Sequence, residues 1–139
     1  MPTELVIHAD YQGGMKLTAG DGEHTVTIDY PLEPGQPVDG LTPLKLLLVS
    51  VAGCIGSTVP LLLARSGQPL RGLEITARGQ RRDEHPSVLT RIDVELVLHG
   101  DLDAALVEHC VTLADEKLCP VWAMLRPATP ISTTYRIED

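Results

Sequence analysis

The chain opens on an alternation. From Glu4 to Tyr11, Leu5, Ile7 and Ala9 face one way and Val6, His8 and Asp10 the other, the two-residue period of a strand. Gly13-Gly14 marks a turn and Met15 to Thr18 a second short strand. Ala19-Gly20-Asp21-Gly22 turns again, and Glu23 to Tyr30 alternates with Val26, Ile28 and Tyr30 on one side. These segments predict an antiparallel meander. Pro31 to Gly40 has no period and is rich in Pro and Gly, so it reads as a loop. The pattern then changes completely. From Leu44 to Leu63 residues are apolar or small almost all the way round, with charge only near the ends of the stretch at Lys45 and Arg65. Thr42 can cap and Pro43 suits a first helical turn. A helix apolar on every side must be covered on every side. Pro60 predicts a kink or break, and Ser66-Gly67 a stop.

Strand periodicity returns at Leu73 to Ala77, extending toward Arg81, and again from Val88 to His99, with a polar connection over 81–86. In the second strand Ile92, Val94, Leu96 and Leu98 share one face while Arg91, Asp93 and Glu95 point away, as in a sheet wetted on one side. Asp101 or Asp103 caps a helix to about Lys117, with Leu102, Ala105, Leu106, Cys110, Val111 and Ala114 on one stripe. Cys119-Pro120 interrupts it, because a residue before proline avoids the helical basin. A short helix over Val121 to Leu125 and a last strand over Pro130 to Ile137 complete the chain. The fold class expected is α+β, one domain over residues 1–139, with helices on one face of a largely antiparallel sheet. One sheet covers one side of the long helix. A second copy is expected on the other side, giving an intimate homodimer with the long helices near the twofold axis.

Composition narrows the partners. The 139 residues include no Phe and one Trp, so the core is aliphatic, and net charge is −8. No basic face is available for nucleic acid or an anionic membrane surface. The first residues carry no basic region followed by a long apolar run, so a cytoplasmic protein is expected. The long apolar stretch has a bilayer-spanning length. Ser50, Ser57, Thr58 and Pro60 inside it, and the absence of a flanking basic cluster, argue for a buried helix instead.

Three cysteines, Cys54, Cys110 and Cys119, are too few and too odd in number for a secreted disulfide scaffold. Cys110 falls on the core stripe of its helix. Cys119 precedes Pro120 at the cap of a short helix, where backbone N–H groups and the helix dipole favour a thiolate. Cys54 is mid-helix in apolar surroundings and needs a cation to ionise. Lys45 lies about 13 Å along the same helix, out of reach in its own chain but reachable from a partner. Lys16, Arg65, Lys117 and Arg126 are the other candidates. His109, Cys110 and Cys119 lack the tight spacing of a metal site, and His8, His24, His85 and His99 read as solvated. No metal or cofactor is expected.

TPLKLLLVSVAGC, followed by EKLCPVWAML, resembles the paired cysteine signatures of the OsmC/Ohr family, the osmotically inducible and organic-hydroperoxide-resistance proteins. The intervening Gly72 to Gly100 also resembles the middle of such chains. The resemblance implies an OsmC-like fold, an intertwined homodimer with active sites between subunits, and thiol-dependent reduction of small hydrophobic hydroperoxides in oxidative stress. It implies Cys54 as the peroxide-attacking cysteine, Cys119 as the resolving one, and a lipoyl-type dithiol as reductant. Peroxidase members carry a Glu just after the proline of the first motif, and an Arg after an N-terminal Gly-Gly. Here Leu44 and Lys45 follow Pro43, and Met15 and Lys16 follow Gly13-Gly14. The chain is therefore similar to the less characterised OsmC-like branch lacking that Arg–Glu pair. The alternative activity is a non-catalytic dimer that binds a small molecule or a thiol.

Overall fold

The computed structural model describes residues 3–139 and divides into two compact units, residues 1–47 and 48–139. In the first unit, β1 (His8–Gly13), β2 (Lys16–Gly20) and β3 (Thr25–Ile28) form an antiparallel meander. His8 pairs with Gly20, and Leu17 with Ile28. The predicted meander is present, although its first strand starts four residues later than the alternation does. β1 is exposed along its whole length, as are Leu5, Val6 and Ile7 before it.

The long helix, α1 (Pro43–Arg65), begins where the capping signals place it, with the Lys45 N–H donating to Thr42 Oγ1 at 3.4 Å. It stops at Arg65, just before Gly67, whose φ of 71° is left-handed. The Gln68 N–H reaches back to the Leu63 carbonyl and the Gly67 N–H to that of Ala64, the paired bonds of a glycine-terminated helix. The break expected at Pro60 is absent, and the helix runs unbroken through it. Val59 and Leu63, buried on either side of Pro60, hold the helical path. By length and composition α1 could cross a membrane.

The second unit is built on a three-stranded sheet in the order β4 (Gly72–Arg81), β5 (Leu89–His99), β6 (Ile131–Glu138). β4 and β5 are antiparallel, with Ile75 opposite Leu96. β6 runs parallel to β5, with Ile131 opposite Ile92. The expectation of one largely antiparallel sheet is thus corrected to two sheets, the second of them mixed. A parallel neighbour needs a crossover. Here it is supplied by α2 (Ala104–Leu113), a π-helical turn (Ala114–Leu118) and α3 (Pro120–Leu125). Asp103 caps α2, its Oδ1 accepting from the N–H groups of Ala105 and Leu106. The helix expected to reach Lys117 therefore changes pitch at Ala114.

The core gathers Val51, Ile55, Val59 and Leu63 of α1 with Ile92, Val94, Leu96 and Leu98 of β5. Val107, Cys110 and Val111 of α2 join them, and Trp122 of α3 is fully buried. A Cβ built on Gly56 would lie 2.5 Å from Ile75 Cδ1, so the glycine lets α1 lie close to β4. Only the stripe spaced four residues apart is buried in α1. Val49 and Leu61 are half exposed, and Gly53 and Ser57 lie open between them. Within one chain, then, the helix is covered on one side rather than on all.

Candidate functional site

The residues that meet around the two cysteines come from α1 and from the corner between the π-helical turn and α3. Cys54 lies mid-helix and half-buried, and Cys119 is buried. Thr58, one turn after Cys54, donates its hydroxyl hydrogen to the Cys54 carbonyl at 2.9 Å. The Cys119 thiol donates to Thr58 Oγ1 at 3.8 Å. The Cys54 side chain lies near enough to Cys119 to help raise its pKa. The two thiols singled out from the sequence are therefore brought together, with Thr58 beside both.

The corner that delivers Cys119 is pinned at three points. The Cys119 N–H bonds to the Ala114 carbonyl at 3.1 Å, closing the wide turn. The Trp122 indole N–H donates to the Val51 carbonyl of α1 at 2.9 Å. The Arg126 guanidinium pairs with the Asp115 carboxylate, donates to the Asp115 carbonyl at 2.8 Å, and lies 5.5 Å from the Trp122 ring centroid. Trp122 ties the corner to α1 three residues after Cys119. A lone tryptophan in an aliphatic chain is the one signal of this in the sequence. Thr58 carries no such signal in the sequence, where it is one polar residue within an apolar stretch.

The electrostatics correct one expectation. Cys119 does stand at the cap of α3, but its side chain makes no capping bond. Burial dominates instead and pushes the thiol up from 9.0 to about 11, with Cys54 adding to the rise and the Thr58 hydrogen bond opposing it. A helix of six residues exerts too little field to offset the desolvation of the anion. Cys119 is held as the thiol near neutral pH. No cationic group among the described residues acts on it.

The candidate cations are otherwise placed. Lys16 pairs with Asp39 at 2.9 Å, and that hydrogen bond and charge raise its pKa. Arg126 is engaged by Asp115 and Trp122, while Lys45, Arg65 and Lys117 are exposed. Cys110 is buried in the α2 stripe, as its spacing predicts. Among the described residues no cluster of His, Cys, Asp and Glu could hold a metal ion.

The sequence matches the family described as OsmC-like protein over residues 35–134. It is 31% identical to Protein YhfA of Escherichia coli strain K12 over 97 residues, 69% of this chain and 72% of that one. A hypothetical protein of Aquifex aeolicus VF5 superposes with a TM-score of 0.88 at 25% identity, covering 99% of this chain and 98% of that chain. The organic hydroperoxide resistance protein OhrB of Bacillus subtilis superposes at 0.67 with 21% identity, covering 96% of this chain and 98% of its own, a likeness of fold.

Proposed function

The chain belongs to the OsmC-like protein family, and from that premise we propose that it reduces organic hydroperoxides through Cys54 and Cys119. The observation that carries the reading is the meeting of the two thiols beside Thr58. Cys54 is the attacking residue. Its thiolate displaces the alkoxide from the O–O bond, which leaves as alcohol, and becomes a sulfenic acid. Cys119 condenses with that sulfenic acid to a disulfide and spares Cys54 from further oxidation. A dithiol of lipoyl type returns both to thiols by exchange. The raised pKa of Cys119 fits the second role rather than the first, because a thiol held protonated is a poor nucleophile toward peroxide. The half-buried position of Cys54 on an apolar helix fits a small hydrophobic hydroperoxide.

The active form in this reading is a homodimer. A second copy covers the open face of α1, and the cation that Cys54 needs comes with it. The setting is cytoplasmic, where a reducing pool can supply the dithiol. Cumene hydroperoxide added to the reduced protein is expected to consume both thiols and to yield a Cys54–Cys119 disulfide on peptide mapping. Cys54→Ser is expected to abolish turnover. Equal, slow peroxide consumption by wild type and Cys54→Ser would sink the reading. The residues after Gly13-Gly14 and after Pro43 favour a second reading, a dimer that binds a small molecule or a thiol without turnover. Native mass spectrometry showing a retained ligand, with no disulfide after peroxide, would support it.

A further inference from the structure

We propose that Thr58 is the positioning residue for disulfide closure, orienting Cys119 toward Cys54 and then stabilising its sulfur as the proton leaves. This rests on the redox reading of the two cysteines. A hydroxyl has one hydrogen to give and two lone pairs to receive. In the resting site Thr58 uses both capacities, donating to the Cys54 carbonyl at 2.9 Å and accepting from the Cys119 thiol at 3.8 Å. Cys119 has one hydrogen. Directing it at Thr58 leaves the sulfur lone pairs free to face the Cys54 side chain.

Closure requires the reverse polarity. The S–S bond forms as the S–O bond of the Cys54 sulfenic acid breaks. The Cys119 proton leaves with the hydroxide as water, and the oxidising equivalents come from the organic hydroperoxide. As the Cys119 sulfur gains negative charge it can no longer donate. The Thr58 hydroxyl then turns from the Cys54 carbonyl to the sulfur, and a charge-assisted hydrogen bond replaces a neutral one. The Cys54 carbonyl keeps its place in the helical ladder meanwhile. The hydroxyl needs only to rotate about its own C–O bond, because the Cys119 sulfur already lies 3.8 Å from its oxygen. Thr58 is also the group that opposes the rise in the Cys119 pKa. A threonine needed only for helix packing would be replaced without effect by valine, which has the same shape.

The test measures Cys119 alone, in a Cys54→Ser background, so that it does not depend on peroxide turnover. Modification of Cys119 by methyl methanethiosulfonate is followed against pH by mass spectrometry. Thr58→Val is expected to move the profile to higher pH and to slow modification at fixed pH about fivefold, the effect of one lost hydrogen bond. Thr58→Ser is expected to keep the profile of the parent. Superimposable profiles for Thr58→Val and parent would overturn the proposal, as would Thr58→Ser behaving like Thr58→Val. Should Thr58→Val fail to fold, Thr58→Ala removes the same hydroxyl without a branched side chain and is judged by the same outcomes. A shifted profile together with no peroxide-driven disulfide in the wild type would retain Thr58 as the residue that governs Cys119 and reject the peroxidase reading alone.

Discussion

Cys119 shows how burial outweighs a local cap. Its proton is held more tightly in the folded chain than in the unfolded one, with a pKa of about 11 against 9.0. The stability this contributes is full below about pH 9 and is lost as pH rises through about 11. The urea midpoint of the reduced protein is therefore expected to fall across that window. The fall should be smaller in Cys119→Ala, and identical slopes for the two proteins would contradict the assignment. Two cysteine motifs in the sequence point to both thiols, while no motif in it points to Thr58 or Trp122 beside them. The protonation of Cys119 was not legible. It depends on how α1 and α3 close over the sulfur, and no local rule for helix ends contains that.

At the scale of elements, the parts written by periodicity came through. The alternation in β5 placed Ile92, Val94, Leu96 and Leu98 in the core, and Asp103 caps α2 through its Oδ1. Asp103→Ala is expected to cost about 1 kcal/mol in chemical denaturation, the usual loss of such a cap. Trp122→Phe removes one ring of the indole and with it the N–H bonded to the Val51 carbonyl. A loss of about 2 kcal/mol is expected, from the lost bond and the space left in the core together, with a slower Cys54–Cys119 disulfide as the corner loosens. What periodicity missed had non-local causes. Pro60 predicts a kink or break because propensity is local, whereas α1 continues as helix through it with Val59 and Leu63 buried on either side. The π-helical turn starts at Ala114, the last residue of the hydrophobic stripe, so nothing in the pattern announces it. Val97 is buried beside Leu96 and Leu98, on the face that alternation assigns to water. The direction of β6 is set by the crossover before it, and its own residues would suit either direction.

At the scale of the molecule, α1 leaves Val49 and Leu61 half exposed beside Gly53 and Ser57, an apolar face with small residues that permit close approach. Sedimentation equilibrium is expected to give twice the 15.0 kDa chain mass. Leu61→Glu is expected to shift the protein toward the monomer while sparing its fold, since Leu61 is half exposed in the protomer. A wild-type monomer at micromolar concentration would remove the dimer from the reading. The parallel pairing of β5 with β6 bears on the arc from Gly100 to Pro130. That arc leaves the sheet and re-enters it beside its own starting strand, like a handle with both feet bolted to one plate. Were the β6 foot to loosen, the handle would hang from its other foot and from the Trp122 bond to α1. That bond is then the rivet that keeps the sulfur beside its mate.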